Sequence, residues 1–77
     1  MSFEEARTVF YDESALLLPD EDHSEEEDRF LLLGVSGRLR TLVVCHCYRQ
    51  ADEVIRLISA RRANSLERKQ YDDRRMK

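Results

Sequence analysis

The stretch Glu53–Tyr71, EVIRLISARRANSLERKQY, decides how the chain reads. It begins as a strand and ends as a helix. Val54, Ile55, Leu57 and Ile58 form a β-branched and aliphatic run of strand length, too short for a buried helix. Two adjacent cations, Arg61 and Arg62, leave that run. Asn64 and Glu67 stand three apart as a capping-box pair. The Asn64 side chain can accept from the Glu67 backbone N–H, while the Glu67 carboxylate reaches back to the N–H of Asn64. A helix is therefore predicted from Asn64 to about Arg75. The strand-to-helix corner carries Arg56, Arg61, Arg62, Arg68 and Lys69, with Tyr71 on the helix. Clustered guanidinium groups are the simplest side-chain site for phosphate.

Upstream of this corner the signals are those of short strands. Ser2 with Glu5 makes a second capping-box pattern, and Phe3, Ala6, Val9 and Phe10 share a helical face, so residues 2–12 read as a short amphipathic helix. Ala15 to Leu18 reads as a strand stopped by Pro19. Asp20 to Asp28 holds seven acids and His23. It reads as a solvated hairpin connection, because it lacks the glycine and spacing of a calcium loop. Arg29 to Val35 is the next strand, and Gly34–Gly37 turns the chain. Arg38 to Tyr48 is a long strand centred on Leu42, Val43 and Val44. Arg49 to Asp52 is a polar turn, and Glu53 to Ala60 is the last strand. Short strands with hairpin-length links imply an antiparallel meander of about four strands. With an N-terminal and a C-terminal helix covering one face, the expected class is a two-layer α+β domain.

The chain has 77 residues, enough for a single domain spanning 1–77 with a core near the lower limit of self-sufficiency. Hydrophobic residues make up 42% of it, which argues for a folded chain. No run has transmembrane length, and the acidic N-terminus does not read as a signal peptide. Cys45 and Cys47 stand too close in sequence to brace a fold by pairing, and read as reduced cytoplasmic thiols. The net charge of −3 conceals an asymmetry: residues 1–28 carry −10 and residues 29–77 carry +7. The C-terminal part can attract a polyanion that the N-terminal part repels, unless the two parts neutralise each other in the fold.

Strand alternation sorts the candidate groups by face. On the central strand Arg40, Leu42, Val44, His46 and Tyr48 share a face, opposite Thr41, Val43, Cys45 and Cys47. On the last strand Val54, Arg56, Ile58 and Ala60 share a face. The Arg56 face is expected to be functional, and the Cys45/Cys47 face to pack on the helices. Zinc is not expected, because alternation sends His46 away from the two thiols and no second ligand pair follows. His46 is the group best suited to acid–base work near neutral pH, or else a half-buried strand histidine bonded to the backbone. Tyr71 is either a helix–sheet packing residue or a group at the phosphate or base. Arg61 can meet phosphate, or pair with Glu67 and brace the corner. There is no P-loop, dinucleotide fingerprint or Ser/Cys nucleophile constellation, so no cofactor is expected.

Four stretches, in order, resemble BrnT-family toxins, the ribonuclease partners in BrnT/BrnA type II toxin–antitoxin pairs. They are Ser2-Phe3-Glu4-Glu5-Ala6 with Val9-Phe10; Pro19-Asp20 with Asp22-His23-Ser24 and Arg29-Phe30; Leu42-Val43-Val44 with His46; and Arg56 to Ala63 followed by Glu67-Arg68-Lys69-Gln70-Tyr71. The resemblance implies a RelE-like ribonuclease toxin fold and a cytoplasmic endoribonuclease that cleaves RNA without a metal. A BrnA-like antitoxin would neutralise it, with operator DNA reached only through that antitoxin and no membrane involved. The expected assembly is a homodimer or a toxin–antitoxin heterotetramer. The catalytic set would be Arg56 and Arg61 on the phosphate, with His46 or Tyr71 assisting proton transfer. Arg38, Arg40, Arg62, Arg68 and Lys69 would bind RNA. Family members carry a further strand and helix ahead of the Ser2–Ala6 element, whereas Met1 stands directly before it here. A chain short by those elements would lose part of the RNA-binding surface and expose a sheet edge or an apolar helix face. Either the product is naturally short or its assigned start codon is too late; the alternative function is a shortened, inactive member acting as an antitoxin-binding module.

Overall fold

The computed structural model describes residues 2–20, 29–49 and 54–75. The expected acidic connection, apart from Asp20, and the turn after Arg49 lie outside the described residues. Helix α1 spans Phe3–Thr8 and runs into a 3-10 turn, Val9–Tyr11. Strands β1 (Leu16–Pro19), β2 (Arg29–Val35), β3 (Thr41–Arg49) and β4 (Val54–Arg62) follow, then helix α2 (Ser65–Arg75). The strands form one antiparallel sheet in the order β1-β2-β3-β4, the expected α+β meander.

The two helices cover opposite faces of the sheet, which corrects the two-layer expectation. Ala6 and Val9 pack with Leu32, Leu42 and Val44 on one face, while Tyr71 packs with Leu33 and Val43 on the other. The reason lies in the central strands. Leu31-Leu32-Leu33 and Leu42-Val43-Val44 are unbroken apolar runs, and consecutive strand residues point to opposite faces, so both faces need a cover.

A second correction concerns β4. Cys45 pairs with Ser59 but His46 pairs with Leu57, so Ile58 is an extra residue on the β4 side. Such a bulge shifts the alternation by one. Ala60 therefore joins Leu57 on the α1 face, and Arg56 and Arg61 come to share the α2 face with Cys47 and Val43.

The β2–β3 hairpin is fixed by buried polar groups. Glu5 is 5% exposed and Ser36 is 3% exposed. The Ser36 hydroxyl donates to the Glu5 carboxylate at 2.7 Å, and Arg40 clasps that carboxylate with Nε and Nη2. These contacts, Arg40 first and then Ser36, hold the Glu5 carboxyl down at about 2. The N-terminal capping box is thus half formed: Glu5 N–H donates to Ser2 Oγ, while the Glu5 side chain turns inward. At the hairpin tip Leu39 is 86% exposed and has φ 62. That left-handed conformation costs a non-glycine residue about 1–2 kcal/mol. Leu39→Gly is therefore expected to raise the melting temperature by several degrees, with net gain about 1 kcal/mol after glycine's added chain entropy. An unchanged or lower melting temperature on thermal denaturation would mean that the Leu39 side chain makes up its backbone cost.

Candidate nucleic-acid interface

The sheet register assembles the site. On the α2 face, Arg29, Cys47 and Arg56 form one cross-strand row, Leu31, Cys45 and Ser59 the next, and Leu33, Val43 and Arg61 the third. Rows on one face lie two residues apart, so the Arg56 and Arg61 rows are separated by about 13 Å along the strands. Helix α2 covers the third row through Tyr71, with Leu31 and Val35 packed at the edges of that cluster. Beyond it, where no described residue covers the face, lie two adjoining clefts. One, of about 480 Å³, is lined by Asp20, Arg29, Cys45, Ser59 and Arg61 among others. The other, of about 240 Å³, is lined by Arg29, Cys47 and Arg56. The Cys45 thiol donates to Asp20 Oδ2 at 3.6 Å, and burial together with that carboxylate pushes its pKa up, so it stays a neutral thiol.

The corner forms as the capping pattern requires. Asn64 N–H donates to Glu67 Oε1 at 2.9 Å, and Glu67 N–H donates to Asn64 Oδ1 at 2.8 Å. The same Glu67 carboxylate accepts from Arg61 through both terminal nitrogens, each at 2.8 Å. Arg61 therefore braces the corner, yet its side chain keeps 56% of its exposure. Arg61 holds the Glu67 carboxyl below its ordinary value, against a smaller opposing effect of burial.

The other candidates lie elsewhere. His46 sits on the opposite face from Arg56 and Arg61 and is 4% exposed. It meets Phe10 edge-on with ring centres 5.0 Å apart, and burial pushes its pKa down, so the ring is neutral near pH 7. Tyr71 is on the arginine face but buried beneath α2, and its hydroxyl donates to Asp12 Oδ2. Burial and that bond push the phenol up to about 12. Arg40 is committed to Glu5. Arg62 and Arg68 line a separate cleft of about 270 Å³ with Leu39, Arg40 and Thr41. Arg38 is exposed at the hairpin tip and Lys69 on α2. The Cys45/Cys47 face, expected to be packing surface, is the face that carries the arginines.

Three residues were not found by sequence reasoning. Arg29 and Ser59 join the site only through cross-strand pairing. Asp12 accepts from Val35 N–H, Ser14 N–H and the Tyr71 hydroxyl, at the point where β2 runs beyond the start of β1. Burial raises its pKa, but those three donors outweigh it and leave the carboxyl below its ordinary value. On the α1 face, Phe10, Leu17, Phe30, His46, Tyr48 and Ile55 line an apolar cavity of about 460 Å³. Leu17 and Ile55 remain about half exposed.

Fold and site together define a small α+β protein with arginines displayed on one sheet face. Comparison with known families makes this particular. The chain belongs to the BrnT family, described as the ribonuclease toxin, BrnT, of a type II toxin–antitoxin system, whose profile matches residues 1–67. No curated protein and no solved structure matches it. Among the described residues no helix is long and apolar enough to cross a membrane.

Proposed function

We propose that this chain is a cytoplasmic endoribonuclease that cleaves RNA without a metal and is restrained by a BrnA-like antitoxin. The observation that carries the reading is the shared face of Arg56 and Arg61, flanked by Arg29 and Ser59 and, among the described residues, not covered beyond α2. Metal-free RNA cleavage needs a base for the 2′-hydroxyl proton, cations for the phosphorane oxygens and a proton for the leaving 5′-oxygen. Arg56 and Arg61 supply the cations. His46 and Tyr71 fit packing roles better than proton transfer, since one faces away and the other is bound to Asp12. Arg62 and Arg68 in their separate cleft, with exposed Arg38 at the hairpin tip and Lys69 on α2, supply further cations for the RNA backbone beyond that face. Among the described residues no three His, Cys, Asp or Glu side chains cluster as metal ligands. With arginines rather than a metal on the phosphate, cleavage of a mixed-sequence RNA by the purified chain is expected to continue undiminished in EDTA. Loss on chelation, restored by magnesium or zinc, would contradict a mechanism that runs on side chains.

The apolar cavity around His46 favours a second reading, an antitoxin-binding module without catalysis. Half-exposed Leu17 and Ile55 suit a protein partner better than RNA. The two readings separate on one pair of measurements. The module binds a BrnA-like protein and leaves RNA intact, whereas the enzyme binds that protein and cuts RNA when free of it.

A further inference from the structure

The Arg61 guanidinium is only partly used. A guanidinium offers five N–H donors on two bidentate edges. Glu67 occupies the terminal edge, bonded to Nη1 and Nη2 at 2.8 Å each. Nη1 also donates to the Arg62 carbonyl at 3.4 Å. On the side edge, Nε makes no bond to a described residue and Nη2 uses only one of its two N–H groups, on Glu67. A phosphate seated on that edge lies beside the carboxylate oxygen that Nη2 already holds. We infer that Glu67 is the general base of RNA cleavage, held by Arg61 next to the scissile phosphate. The inference rests on the reading above that Arg61 binds that phosphate.

Three features fit the role. The Glu67 side chain is 20% exposed, enough to meet a ribose but ordered by three hydrogen bonds. Its partner is a permanent cation, so the carboxylate stays ionised near neutral pH. The groups first suited to proton transfer are otherwise placed: His46 is on the far face and the Tyr71 hydroxyl is given to Asp12. In the step itself Glu67 takes the 2′-hydroxyl proton, and the 2′-oxygen pair forms the bond to phosphorus. The bond from phosphorus to the 5′-oxygen breaks with its pair on oxygen. That oxygen takes a proton from water, and Glu67 returns its proton to the hydroxide so formed. The products are a 2′,3′-cyclic phosphate and a 5′-hydroxyl.

Glu67→Gln tests this with little risk to the fold, because glutamine also serves in a capping box. A bracing role and a base role predict opposite results. Loss of the base lowers kcat by about a hundred- to ten-thousand-fold. Binding of a 2′-deoxy oligonucleotide of the same sequence stays equal or tightens, because Arg61 is released from its carboxylate, and the melting temperature stays near the parent's. Cleavage by E67Q at the parent rate overturns the inference and leaves Glu67 as a brace. Loss of cleavage together with oligonucleotide binding also overturns it, since Glu67 would then act only by placing Arg61. A parent chain that binds the oligonucleotide but never cuts RNA overturns the ribonuclease reading itself, and the inference with it.

Discussion

Arg56→Ala is expected to cut RNA cleavage by about ten- to a thousand-fold, because a guanidinium that stabilises the phosphorane acts mainly on the transition state. The Arg56 side chain forms no hydrogen bond or ion pair with a described residue, and β4 is exposed at that position. Its removal should leave stability within about 0.5 kcal/mol of the parent. Arg61→Ala should lose cleavage to a similar extent, and Arg61→Lys should not restore it, since lysine keeps the charge without the fork. The Arg61–Glu67 pair adds a structural effect of at most about 1 kcal/mol, as it is an exposed ion pair. Cleavage rate and thermal stability measured together on the three variants separate the roles. If Arg61→Ala lowered only the melting temperature and Arg61→Lys recovered it, Arg61 would be a brace, and the phosphate would rest on Arg56.

Asp12→Ala should be the most damaging single change to the fold. The carboxylate satisfies the Val35 N–H and the buried Tyr71 hydroxyl at once, so it links the end of β2 to the helix on the far face. Deleting it strands three donors, the Ser14 N–H with these two, at about 1–3 kcal/mol for each that stays buried. A domain of this length has a total stability of about 4–12 kcal/mol, so the variant approaches unfolding. Tyr71→Phe should cost less, about 1.5 kcal/mol, because Asp12 keeps its two backbone donors. Urea denaturation of both single variants and the double should show strong coupling, with the double no worse than Asp12→Ala. Additive losses would mean that the two side chains act independently. Acid should act in the same direction. Asp12 and Glu5 both have carboxyls held lower in the folded chain than in the unfolded one. Their contribution is therefore full above the ordinary carboxylate range and is lost as pH falls through the folded values, near 2 for Glu5.

Much of this was legible in the residues. Asn64 and Glu67 announced the start of α2, and both capping bonds form. β2 has the predicted ends, and β3 and β4 lie within a few residues of theirs, because apolar runs between turn residues report strands directly. What escaped depended on pairing. The Ile58 bulge is invisible until β4 is laid against β3, yet it decides that Arg56 and Arg61 share a face and that Ala60 does not. Arg29 reads as an ordinary strand opening until the register sets it in a row with Arg56. Asp12 resembles any polar residue after a helix, since its partners lie 23 and 59 positions away. The opposite placement of the two helices could have been read from Leu31–Leu33 and Leu42–Val44, which are apolar on both faces.

In the proposed ribonuclease, RNA binds on the arginine face. The most direct measurement is a nuclear magnetic resonance titration of the chain with a 2′-deoxy oligonucleotide, which binds without being cut. The predicted result is movement of the Arg56 and Arg61 side-chain signals and of the Cys45, Cys47 and Ser59 amides, with the His46 and Phe10 rings unmoved. Shifts centred on His46, Phe10 and Tyr48, with Arg56 and Arg61 unchanged, would place the nucleic acid on the opposite face and contradict the account.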